Sequence, residues 1–164
     1  MNRTTPRILA AGAVAPNVLR VKWKDRLTDR IDLSGWIATG GEILQALRDS
    51  NVFNNPRVSD YGASIAWSED DDDLRIDAVH LEQIAAEQRP FGAREAAGWQ
   101  KAIGLSNNEA ADLLGISAST WNSYKAGVSI PAAIAMLCRA ARRDPILMQA
   151  HYRPRKAGRP RKSA

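Results

Sequence analysis

The chain has 164 residues, with 23 Lys and Arg against 18 Asp and Glu for a net charge of +5, and 45% of it is apolar. That length suits one large domain or two small ones, and the composition is globular, neither disordered nor fibrous. A single cysteine, Cys138, excludes a disulfide framework and a cysteine-rich metal knot, and no uncharged run approaches the roughly 20 residues of a membrane-spanning helix.

Charge is unevenly spread. Residues 1–90 hold 11 basic and 14 acidic side chains, residues 91–150 hold 6 and 4, and residues 151–164 hold 6 and none. A basic terminal arm reads as a polyanion contact, usually nucleic acid, or as a solvated end that aids solubility. Arg3 and Arg7 before Ile8–Ala15 imitate a secretory signal, but the apolar run is short and Pro16-Asn17 closes it with a turn. A strand is the better reading, and a cytoplasmic protein is expected.

Residues 1–90 are expected to form a small α+β domain of strands plus two helices. Ile8 to Val14 is one candidate strand. Leu19, Val21 and Trp23 alternate with Arg20, Lys22 and Lys24, the period of a half-buried strand with a cationic outer face. After a turn at Asp25-Arg26, Leu27 to Leu33 is a third strand, weakened by Asp29 on its apolar phase. Gly40-Gly41 is expected to open a short helix with Ile43, Leu44 and Leu47 on one face. Val58 to Trp67 reads as a hairpin about Asp60-Tyr61-Gly62. Asp77 suits the cap of a helix striped by Ala78, Leu81, Ile84 and Ala85.

The run Glu69-Asp70-Asp71-Asp72-Asp73 offers oxygen ligands for a hard cation. It lacks the alternation and glycine of a calcium loop, so a solvated acidic loop is expected. His80 has no His or Cys companion at metal spacing and reads as a surface residue. No nucleophile elbow, phosphate loop or paired-acid site is present, so neither enzymatic activity nor a cofactor is expected. Ala46-Leu47-Arg48, Phe53, Val58, Gly62, Ile65, Trp67 and Asp73-Leu74 resemble a small bacterial family known as domain of unknown function two-four-four-two, over roughly residues 7–85. That resemblance implies a possible protein partner for this half and no activity.

Residues 91–152 read as all-helical. Ala96, Trp99 and Ile103 lie along one face of a first helix. Ser106-Asn107-Asn108-Glu109 is a capping box: the serine accepts from the Glu109 amide while the Glu109 side chain reaches back. Ala110, Leu113 and Leu114 give that helix its buried face, Gly115 suits the positive φ at its end, and Ser117 caps the next helix. Trp121 and Tyr124 are inward positions there, and Gly127 ends it. Pro131 starts another helix, striped by Ile134, Leu137, Cys138 and Ala141, and Asp144-Pro145 opens a last one.

Two short helices joined through Gly115-Ile116-Ser117 have the sequence form of a DNA-binding helix-turn-helix. Leu105-Ser106, Glu109-Ala110-Ala111, Leu114-Gly115-Ile116-Ser117, Trp121, Tyr124-Lys125-Ala126-Gly127 and Pro131 resemble the Cro/phage-repressor (Xre) family over roughly residues 94–147. The resemblance implies a repressor-like domain of about five helices that binds double-stranded DNA. By it, Asn107 is a phosphate contact, Ala118, Ser119 and Ser123 occupy base-reading positions, and Thr120 and Asn122 suit phosphate oxygens. Lys125 stands where the family has an acidic residue. The recognition helix holds no Arg or Gln for a bidentate base contact.

The tail, 153–164, is expected to be disordered. Its Gly158-Arg159-Pro160-Arg161-Lys162, preceded by Arg155, resembles an AT-hook, which implies minor-groove contacts from Arg155, Arg159, Arg161 and Lys162. Together these features describe an α+β domain, an all-α helix-turn-helix domain and a basic tail. The expected role is a homodimeric, sequence-specific transcriptional regulator, plausibly autoregulating an antitoxin-like operon. The alternative is a protein-interaction module whose helical half only dimerises, with no membrane contact in either case.

Overall fold

The structure, a computed structural model, describes residues 5–70 and 73–156. It is of mixed α and β type and divides into two compact units, Met1–Arg89 and Pro90–Ala164. No helix among the described residues is long and apolar enough to cross a membrane.

In the first unit, β1 (Ile8–Ala15), β2 (Val18–Trp23) and β3 (Thr28–Asp32) form an antiparallel sheet in that order. The alternation along β2 sets its faces: Leu19, Val21 and Trp23 are buried while Arg20 and Lys22 are exposed. A second antiparallel sheet has the order β4 (Arg57–Ser59), β5 (Ser64–Ala66), β6 (Arg75–Asp77). Both sheets share one core with Leu33, Ile37, Leu47, Phe53 and helix α3 (Ala78–Gln88). Asp77 caps α3 by accepting from the His80 amide at 2.8 Å, and His80 itself is exposed, edge-on to Trp36.

Asp29 breaks the apolar phase of β3 because it has polar work inside. Its carboxylate accepts from the Trp23 indole N–H at 2.7 Å and from the Arg89 guanidinium at 2.6 and 3.0 Å. Arg89 first, and then Trp23, hold that carboxyl below the usual carboxylate range against the opposing effect of burial. At the same edge, the Gln88 carboxamide accepts from the Asp32 amide at 2.8 Å and donates to the Asp32 carbonyl at 2.7 Å.

One expectation needs correction. Gly40-Gly41 does not open a helix: Gly40 ends α1 (Ser34–Thr39), whose start is held by Asp32 accepting from the Ser34 amide at 2.8 Å. Beyond it comes only a 3₁₀ turn, Gln45–Arg48, which buries Leu47; Leu44 is also buried, whereas Ile43 is 61% exposed. A short helix α2 (Ser50–Phe53), capped by Asp49, and the strand β6 were not expected. The hairpin turn Asp60-Tyr61-Gly62 is left-handed throughout, with φ of 52°, 55° and 84°. Glycine is required at its end, since a Cβ on Gly62 would overlap the Ile8 carbonyl oxygen. In the acidic run Glu69 pairs with Arg57, and Asp71 and Asp72 lie outside the described residues.

The second unit contains α4 (Ala93–Ile103), α5 (Asn107–Leu114), α6 (Ala118–Lys125), α7 (Ala132–Arg143) and α8 (Pro145–His151). Its core is Ala96 and Trp99 of α4, Ala110, Ala111 and Leu114 of α5, Trp121 and Tyr124 of α6, and Cys138 and Ala141 of α7. Trp99 and Trp121 meet edge to face, centroids 5.6 Å apart. Burial pushes the Cys138 thiol up to about 12, so it packs as a small apolar group and is not a reactive thiolate.

Candidate nucleic-acid interface

The helix pair α5–α6 is built from local signals. The Ser106 hydroxyl accepts from the Glu109 amide at 3.3 Å, and Glu109 Oε2 accepts from the Ser106 amide at 3.0 Å and its hydroxyl at 2.7 Å. Gly115 closes α5 with φ 68°, in the left-handed region that favours glycine. Two residues later the Ser117 hydroxyl accepts from the Thr120 amide at 3.0 Å and starts α6. Both helices are anchored by full burial of Ala110 and Trp121, so the turn between them fixes which side of α6 faces outward.

The positions singled out on α6 do not all face the same way. Ser119 and Asn122 are exposed. Ala118 is half-buried, and its methyl group packs against the core. The Thr120 hydroxyl lies 2.8 Å from that of Ser117, within the cap. Ser123 donates to the Ser119 carbonyl at 3.0 Å, which occupies its hydrogen while leaving its lone pairs. Outward hydrogen-bonding capacity on this helix therefore concentrates at Ser119 and Asn122.

Asn107 and Lys125 are brought together, through a residue that the sequence pattern does not mark. Gln100 of α4 donates through Nε2 to the Leu105 carbonyl at 3.0 Å and to Asn107 Oδ1 at 2.9 Å. Its Oε1 accepts from the Trp121 indole at 2.8 Å and from Lys125 Nζ at 2.9 Å. Lys125 also donates to Asn107 Oδ1 and lies 5.9 Å from the Trp121 ring centroid. One amide thus links α4, α5 and α6 and holds an ammonium beside the first residue of α5. Lys101 and Lys125 flank an open cleft of about 240 Å³ that Gln100 and Gly104 also line.

Arg155 is not part of a free arm. Its guanidinium binds both Asp112 carboxylate oxygens, at 2.7 and 2.9 Å, and its amide donates to Glu109 Oε1 at 3.1 Å. Tyr152 donates to the same Glu109 oxygen at 2.9 Å. The chain leaving α8 is therefore clasped to α5 as far as Arg155. Arg159, Arg161 and Lys162 lie outside the described residues.

Ser106 first, and then Arg155 and Tyr152, hold the Glu109 carboxyl down at about 2, from an ordinary 4.5. A lowered folded-state value means that the Ser106 cap and the clasp together stabilise the unit fully above about pH 4.5 and lose that contribution as pH falls towards 2. Asp112, lowered by Arg155, acts in the same direction. The urea midpoint of the helical unit should therefore fall between pH 4.5 and 2, and Glu109→Gln should flatten that fall without abolishing it. An unaltered slope in the variant refutes the role of Glu109 in this fall.

No family model matches the chain, and no curated protein matches it. Among solved structures the chain is similar to a protein of Nitrosomonas europaea ATCC 19718 provisionally described as DNA-binding, at 24% identity and a TM-score of 0.47, over 98% of this chain and 97% of that one.

Proposed function

We propose that the helical unit is a helix-turn-helix of the Xre type that binds duplex DNA and regulates transcription. The observation that carries this reading is the α5–α6 pair: a capping box, a left-handed glycine and a second serine cap orient α6 with Ser119 and Asn122 outward. In this mode α5 braces the phosphate backbone through Asn107 at its start, with Lys125 of α6 beside it, while the first turns of α6 enter the major groove. Small hydroxyl and amide side chains there make few base contacts, so useful specificity calls for a homodimer on two half-sites about one helical turn, roughly 34 Å, apart. A regulator of its own small operon fits this modest readout.

Selection of genomic fragments by the full chain, followed by footprinting, tests the proposal. The expected result is a few enriched fragments sharing a two-fold symmetric site. Enrichment without any common site, or no retained DNA, would overturn it.

A further inference from the structure

We propose that the outer face of the β1–β3 sheet is a second nucleic-acid contact, one that binds the phosphate backbone through Arg20, Lys22 and Arg30. The register places Gly12, Arg20 and Arg30 side by side in one rung and Ala10, Lys22 and Thr28 in another. Because their partners across the strands alternate with buried Leu19, Val21 and Ile31, the three cations project from one face, and all are exposed. Arg20 stands directly opposite Arg30, an arrangement that disfavours the sheet on its own.

Residues 1–89 carry 14 carboxylates, yet among the described residues none pairs with Arg20, Lys22 or Arg30. The two acids of β3 are committed elsewhere: Asp29 turns inward to Trp23 and Arg89, and Asp32 holds the Ser34 amide. An external polyanion is the partner that offsets the repulsion. The composition of the face then selects among polyanions. In these two rungs only Ala10, Gly12 and Thr28 stand beside the cations, the exposed Leu9 and Val14 of β1 lie outside the rungs at the strand's register shifts, and a Cβ on Gly12 would meet open space. Protein interfaces centre on aromatic and apolar anchors and are depleted of lysine, whereas phosphate contacts need only cations and close approach.

The inference rests on the DNA-binding reading only for the choice of duplex as probe, and the test separates the two. Anisotropy of a labelled random-sequence duplex is titrated with the full chain from 50 to 400 mM salt, about the range over which such contacts weaken steeply. Wild type is compared with an Arg20→Gln, Lys22→Gln, Arg30→Gln variant and with a Ser119→Glu, Asn122→Glu variant. The sheet variant is expected to lower the slope of log affinity against log salt by about 2 to 3, from three contacts at roughly 0.9 each, with an equal or higher Tm. In the helix variant the residual non-specific binding should persist. A sheet variant with the wild-type slope, alongside a helix variant that loses binding, overturns this inference and leaves the helical reading standing. A wild type that binds no duplex overturns both. Loss of polyglutamate binding in the sheet variant, with duplex binding intact, assigns the face to an acidic protein and also overturns it.

Discussion

Trp121→Ala should unfold the helical unit under conditions in which the wild type is stable. The indole is fully buried, meets Trp99 edge to face at 5.6 Å, and donates to Gln100 Oε1 at 2.8 Å. Truncating such a side chain costs about 3–5 kcal/mol, from lost burial and the cavity left behind. A small domain holds about 5–15 kcal/mol in total, and this unit, of 75 residues between Pro90 and Ala164, belongs at the low end. Trp121→Phe keeps most of the packing and loses the indole N–H; because Gln100 Oε1 still accepts from Lys125, its cost should be nearer 1–2 kcal/mol. Hydrogen exchange resolves the effect by segment, with protection of β2 and α3 as the internal control. Wild-type protection of α5 and α6 in Trp121→Ala would show that this packing account is wrong.

The second large effect is on binding alone. Ser119→Glu with Asn122→Glu should weaken affinity for a duplex carrying the selected site at least 100-fold at about 0.1 M salt, while the weaker binding of random-sequence duplex and the fold persist. Each substitution removes a contact of about 1–3 kcal/mol and sets a carboxylate against phosphate. The fold is spared for a specific reason: both positions are exposed, and Ser119 is in the first turn of α6, where an acidic side chain favours the helix dipole. The Ser119 carbonyl that accepts from Ser123 is main chain and survives the change. Anisotropy and far-ultraviolet circular dichroism together decide it. Wild-type affinity with a native spectrum would remove α6 from the interface.

Much of the interface is written in nearest neighbours. Ser106, Glu109, Gly115 and Ser117 act over three or four residues, so a serine, a glutamate and a glycine at fixed spacing carry the whole α5–α6 turn. The alternation of β2 and the Asp77 cap of α3 are legible for the same reason. What is not legible depends on contacts between distant segments. Gln100 sits between Trp99 and Lys101 with no periodic signal, yet it joins residues 7, 21 and 25 positions away. Arg155 looks like part of a basic tail until Asp112, 43 positions earlier, is placed beside it. Likewise Asp29 reads as a flaw in a strand because Arg89 lies 60 residues on. Strand β6 and helix α2, at 3 and 4 residues, are too short to show a period at all.

The carboxamide of Gln88 has a consequence for how this chain avoids itself. An outer strand presents unpaired main-chain groups to solvent, and a second molecule can extend the sheet by pairing with them. At Asp32, both the amide and the carbonyl of β3 are already taken by one side chain, which imitates the next strand's peptide group. The same bonds tie the last helical residue of α3 to the sheet, so the guard is withdrawn only when that helix end lifts away. Self-templated strand addition at this end of β3, and the fibrils or exchanged dimers that follow from it, therefore first require local unfolding of α3.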